Sequence, residues 1–301
     1  MISKRLLRRA DGFTLIELIV VIVISGIIAA ILGVVIRGPV EGFDSQVKRA
    51  EMVDMAESAL RRMQRDIHAS LPNSIRVLAT TGTTGSVTCP SGSDVVCAIE
   101  MLHTSDGGRY CANPRCYKPP AAAGDPLRFD GADTQFNVIG TLQSALTTSQ
   151  WLVINNQTTT GASFNAYNCP AAGASHNCVH PAIGGTTTLV KLAAAFSPTT
   201  PSLASPSQHF FIVDTPVTYR CDTTTGLLTR HQGYTITAAQ ALTPAGGTSA
   251  RAAELVVGCR FTYQSGPGAR GGLVTLELTI RGSNASESVR LLHQAHVYNS
   301  P

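Results

Sequence analysis

Apolar and polar positions divide the chain into stretches of different periodicity. From Phe13 to Ile36 nearly every position is apolar, and Glu17 is the one charge in the run. Such a run is long enough to cross a bilayer as a helix. A carboxylate inside it is costly unless it has a partner and a task. Beyond it, Gly38 and Pro39 predict a kink or a local loosening, after which helix resumes. Val53, Ala56, Leu60, Met63 and Ile67 then recur at three- and four-residue steps. Arg49, Asp54, Glu57, Arg61, Arg65 and Asp66 occupy the other faces. The pattern predicts an amphipathic helix that needs a sheet to cover it, stopped by Pro72 after Leu71, with Leu60, Met63 and Ile67 in the core.

From Ser74 onward helical periodicity fades into short β-type runs separated by Thr-, Gly- and Pro-rich loops. Strands are predicted at Val95–Leu102, Trp151–Ile154, Thr188–Leu192, Gln208–Tyr219, Leu227–His231, Leu255–Tyr263, Gly272–Ile280 and Ser288–Val297. From Leu273 to Ile280 apolar and polar residues largely alternate, as on a sheet covered on one side. The stretches Thr80–Thr88, Ser197–Ser207 and Thr237–Ala250 read as flexible loops. The fold class expected is α+β, with the long N-terminal helix laid across an antiparallel β-sheet domain.

The N-terminus carries the chemistry. Lys4, Arg5, Arg8 and Arg9 precede Gly12, which abuts the apolar run. A secretory signal would place its cleavage site after the apolar core, whereas here the glycine comes before it. A plain single-pass anchor explains the basic flank, since cationic flanks stay cytoplasmic, but it gives no reason for Glu17. The sequence Gly-Phe-Thr-Leu-Ile-Glu, in its context of basic leader and apolar helix, resembles the class III signal of type IV prepilins. That resemblance implies cleavage by prepilin peptidase between Gly12 and Phe13, N-methylation of Phe13, and an assembly role for Glu17. Glu17 lies four residues after Phe13, so both project from one helix face. The new amine of an incoming subunit can then sit beside a neighbour's Glu17, which lowers the cost of both charges in lipid. The alternative is a Glu17 that snorkels to the interface.

Composition limits the other functions. The chain has 301 residues, 44% hydrophobic, enough for one membrane element and one sizeable further domain. Its formal charge is +4; four cations against Asp11 in the leader account for +3, leaving about +1. No basic field remains to bind nucleic acid. Eight cysteines, at 89, 97, 111, 116, 169, 178, 221 and 259, follow the apolar run, and an even count in an exported domain reads as disulfides. The preferred pairing is local: Cys89 with Cys97, Cys111 with Cys116, Cys169 with Cys178, and Cys221 with Cys259 linking two strands. The rival is zinc, because Cys169, His176, Cys178 and His180 cluster. No cofactor and no metal site is expected.

No catalytic constellation emerges, so the chain is not read as an enzyme. There is no Gly-x-Ser-x-Gly turn, no Gly-rich phosphate loop and no His-Glu-x-x-His helix. His293 and His296 fall on opposite faces of a strand, as ordinary sheet residues do. Asp214 and Asp222 could join a calcium site, but further acidic ligands are lacking nearby.

The resemblance extends beyond the N-terminus. The stretches Arg49–Glu51, Ala59–Met63 and Leu71–Val77, then Phe211–Asp214 and Pro216–Cys221, and finally Gly272–Leu276 and Leu291–Val297, are similar to the MshO-type minor pilins of the mannose-sensitive haemagglutinin (MSHA) pilus. Residues 79–207 carry extra cysteine loops outside this likeness. It implies a cleaved leader at 1–12, a transmembrane helix at 13–36, its amphipathic continuation at 37–71 and a β-rich disulfide-bonded domain at 72–301. The implied partners are prepilin peptidase, other major and minor pilins, the inner-membrane assembly platform and the lipid bilayer. The implied place is the inner membrane, with a periplasmic domain, and then the pilus, where a bulky β-rich domain suits filament initiation or the tip. The rivals are a J-type pseudopilin of a type II secretion system and a pilus-borne adhesin with 79–207 as its ligand face.

Overall fold

A computed structural model describes residues 13–113, 124–161, 163–171, 177–196, 203–266, 271–282 and 287–297. Its helix α1 runs from Leu15 to His68 without interruption. Two compact units divide the chain, Met1–Glu51 and Met52–Pro301. In the first, α1 is the described element, and its apolar side chains are exposed all round. Pro39 sits inside this helix and does not end it. Proline removes one i to i−4 bond there while the turns on either side keep theirs, so the helix continues past it.

The second unit holds the end of α1 and the strands. They are β1 (Arg76–Ala79), β2 (Ser86–Cys89), β3 (Val96–Tyr110), β4 (Gln135–Ile139), β5 (Trp151–Val153), β6 (Cys178–Val179), β7 (Leu189–Lys191), β8 (His209–Asp222), β9 (Leu227–Gln232), β10 (Thr248–Ala253), β11 (Val256–Gln264), β12 (Gly272–Arg281) and β13 (Ser288–Val297). A large sheet has the order β10-β9-β8-β3-β4-β7, with β1 added on β3 and β5 joining β8 to β6. A smaller sheet has the order β13-β12-β11-β2. The pairings are antiparallel.

From Met52 to His68 the helix buries Met52, Ala56, Ala59, Leu60, Met63 and Ile67 in a core with Val77, Val217, Leu228, Phe261 and Leu276 from both sheets. Residue 53 departs from the expected stripe: Val53 is 36% exposed while Met52 is 5% exposed. The buried face thus runs through 52, 56, 59, 60, 63 and 67, and Val53 lies at its margin. On β12, Val274, Leu276, Leu278 and Ile280 are buried and the intervening residues are partly open, which matches the alternation in the sequence.

Several elements differ from the sequence expectations. Helix α1 ends at His68, with Ser70 already bridged to His103 of β3. Strand β3 runs on through the polar stretch His103–Tyr110 because β8 pairs with it as far as His209. Two stretches read as flexible are structured. Thr80–Thr88 contains most of β2, held by β11, and Thr237–Ala250 contains the start of β10, paired with β9. In Ser197–Ser207, Leu203 and Ser205 are buried, and residues 197–202 lie outside the described ones.

Candidate functional site

Phe13 and Thr14 precede the helix, and Leu15 begins it. The hydroxyl oxygen of Thr14 accepts the main-chain N–H of Glu17 at 3.3 Å, while the Thr14 carbonyl accepts the same N–H at 3.1 Å and that of Leu18 at 3.2 Å. Thr14 is therefore the N-cap, satisfying a donor that the first turn leaves open. Glu17 falls in that first turn, one turn after Phe13, and is exposed. Phe13 is 83% exposed, and the leucine, isoleucine and valine side chains from Leu15 to Ile36 stay open to the surroundings. Among the described residues, α1 is the helix long and apolar enough to cross a membrane, and none of its most apolar window is buried. Apolar surface of this extent is unstable against water and suits lipid or other helices. Gly12 and the basic leader lie outside the described residues.

The cysteines form bonds of two kinds. Cys89 is bonded to Cys97 and Cys221 to Cys259, and both bonds connect a strand of the small sheet to one of the large sheet. Cys169 is bonded to Cys178. Cys111 is disulfide-bonded as well, and Cys116, assigned to it from the spacing, lies outside the described residues. The zinc reading loses both thiolates to the Cys169–Cys178 bond. Of its remaining members, His180 holds the Gln150 carbonyl oxygen at 2.8 Å and His176 lies outside the described residues. Among the described residues, no three His, Cys, Asp or Glu side chains are placed to hold a metal ion.

Other singled-out residues serve the fold separately. Asp214 pairs with His103 Nδ1 at 2.8 Å, and this contact, against the cost of burial, raises the His103 pKa. Asp222 caps the turn after β8. Burial pushes its carboxyl up, but hydrogen bonds from Thr224, Thr225 and Arg220 outweigh this and bring it down to about 2. The two carboxylates are not brought together. His293 faces inward from β13 and meets Glu57 of α1 at 3.0 Å, whereas His296 is exposed on the other face.

Sequence reasoning missed a buried polar cluster beneath the loop after β9. Arg76 Nη2 pairs with Glu100 Oε1 at 2.7 Å, with side chains 9% and 2% exposed. The same guanidinium donates to the Thr237 and Ala238 carbonyls at 2.9 and 2.6 Å and lies 3.5 Å from the centroid of the Tyr167 ring. Thr218 donates to Glu100 at 3.2 Å and shares a 2.6 Å hydrogen bond with Tyr234. Burial raises the Glu100 pKa, opposed by Arg76. A second group links helix to sheet: Tyr219 Oη donates to Asp66 at 2.7 Å and Arg230 Nε does so at 2.6 Å. The signal for such pairs is an isolated charge at an inward-facing strand position, and it becomes readable only once register is known.

Among family models, that of the prokaryotic N-terminal methylation motif matches residues 7–33. No curated protein and no solved structure matches the chain. The methylation motif, the long apolar helix and the antiparallel β-rich unit support a type IV pilin-like protein.

Proposed function

We propose that a type IV pilin-like chain with these features is a minor pilin. Prepilin peptidase cuts it after Gly12 and methylates Phe13, leaving a single-pass helix in the inner membrane with the β-rich unit in the periplasm. It then joins other pilins on the assembly platform and enters an MSHA-type pilus, in filament initiation or at the tip. The observation that carries this reading is Glu17: one carboxylate, in the first turn of an exposed apolar helix that starts two residues after Phe13. Within lipid, such a charge is favoured only when a counter-charge reaches it, and the Phe13 amine created by cleavage supplies one. The disulfides fit an oxidising compartment.

Mass spectrometry of sheared filaments, with immunogold localisation, tests the proposal. A mature chain beginning at methylated Phe13, found sparsely along filaments or at their ends, is the expected result. Gly12→Val is expected to leave a full-length precursor in the membrane, because a β-branched residue obstructs an extended scissile bond. Normal maturation of that variant refutes the signal. Correct maturation without pilus incorporation, together with loss of protein secretion when the chain is deleted, assigns it to a secretion pseudopilus instead.

A further inference from the structure

The two disulfides that join the sheets lie in one layer of the core. Cys89 and Cys259 are register partners on β2 and β11, and Cys97 and Cys221 are register partners on β3 and β8. The bonds run across this grain, from Cys89 to Cys97 and from Cys221 to Cys259, with Cα separations of 6.0 and 6.6 Å. Directly opposed residues on antiparallel strands have Cα atoms about 4.5–5.5 Å apart and side chains on one face. That spacing falls inside the roughly 4.4–6.8 Å a disulfide spans. All four sides of the quadrilateral therefore have bondable length, and two different pairings of the same four sulfurs are open to the fold. Each cysteine is at most 3% exposed, which shields the centre while the sheets are closed. The weak point is β2, a four-residue strand at the edge of the small sheet that ends at Cys89.

We propose that Cys89, Cys97, Cys221 and Cys259 form an intramolecular disulfide-exchange centre with two states. In the stapled state, shown by the structure, both bonds run between sheets. In the other, Cys89–Cys259 and Cys97–Cys221 each lie within one sheet, and the four-stranded sheet is held to the rest by packing and by the chain segments that enter and leave β2 and β11, with no disulfide between sheets. A monothiol of the glutathione type interconverts them. Its thiolate attacks the Cys89 sulfur when β2 opens, breaking the Cys89–Cys97 bond, forming a mixed disulfide and releasing the Cys97 thiolate. Cys97 then attacks Cys221 and expels the Cys259 thiolate. Cys259 attacks the mixed disulfide at Cys89 and returns the monothiol. Two S–S bonds are present at the start and at the end, so no oxidant or reductant is consumed. The exchange removes the two disulfide staples between the sheets while leaving strand register intact, giving the unit a looser state under thiol control.

The test maps disulfides in the full chain, purified in detergent micelles. Wild-type protein is incubated in mildly alkaline buffer with catalytic reduced glutathione, quenched in acid and digested for mass spectrometry. Peptides joined through Cys89–Cys259 and Cys97–Cys221 are expected, with total free thiol unchanged and Cys169–Cys178 intact. Recovery of the original pairs with only opened or glutathionylated peptides overturns the proposal, as does equal scrambling into Cys169 and Cys178, which reports global unfolding. In a second arm, Cys89→Ser leaves Cys97 as a thiol beside the Cys221–Cys259 bond. It is expected to yield Cys97–Cys221 with Cys259 alkylatable, whereas Cys169→Ser leaves the quartet in its original pairing. A Cys89→Ser protein that keeps Cys221–Cys259 and a free Cys97 also overturns it. Should Cys89→Ser fail to fold, the wild-type arm decides.

Discussion

Replacing Arg76 by methionine isolates the buried ion pair. Met keeps much of the aliphatic stem but leaves Glu100, 2% exposed, without its cation. It also frees the Thr237 and Ala238 carbonyls that the guanidinium holds. Removing one partner of a buried pair typically costs about 3–5 kcal/mol, because the remaining charge stays desolvated. Replacing both partners with apolar residues should recover most of that loss. In Arg76→Met/Glu100→Leu the Thr218 and Tyr234 hydroxyls still satisfy each other at 2.6 Å, so a net cost of about 1–2 kcal/mol is expected. The loss has a pH signature. Burial already holds the Glu100 pKa above 4.5, and without Arg76 it rises further. A carboxyl whose folded pKa is raised contributes stability that is present below the unfolded pKa and lost as pH rises through the folded one. The single variant should therefore be closest to wild type in acid and fall furthest behind near neutrality. Urea unfolding of the full chain in micelles, followed by the fluorescence of Trp151, the sole tryptophan, measures both effects. A single-variant cost below about 1 kcal/mol, or one constant between about pH 4.5 and 8, refutes the argument.

Three further outcomes are expected. Glu17→Val should be inserted and cleaved but accumulate in the inner membrane, with filament incorporation falling sharply on sheared-fraction immunoblots; equal incorporation of wild type and variant removes the assembly role. Asp222, with its folded pKa lowered from 3.8 to about 2, contributes stability that is present above its unfolded pKa and lost as pH falls toward 2. Asp222→Asn should therefore destabilise at neutral pH and converge on wild type in strong acid, as read by unfolding midpoints across that range. Ala56→Leu, at a position with 0% exposure, should overpack the helix–sheet contact by about 1–3 kcal/mol, whereas Val53→Leu at the margin should change the midpoint little.

What was legible in the sequence was what local order encodes. The apolar run, the glycine before it and the lone carboxylate at Glu17 define the N-terminal site without reference to any distant residue. The three-four spacing of Ala56, Leu60, Met63 and Ile67 defines a buried helix face because the α-helix repeats every 3.6 residues wherever it packs. Strands with β-branched and alternating residues, such as β12, were legible for the same reason. Strand β10, Thr248–Ala253, carries little β propensity and exists because β9 offers it a ladder. The polar half of β3 is likewise held by β8.

The sequence alone determined the membrane-length helix, its methylation motif and an even set of cysteines beyond it, since each depends on the chain itself and not on distant contacts. Only the tertiary structure decided that Arg76 meets Glu100, that Glu57 meets His293, and that four cysteines from β2, β3, β8 and β11 share one layer. These contacts depend on register between strands far apart in sequence. A shift of one residue would turn each of the strand side chains among them to the opposite face, and register is fixed by the packing of the whole core.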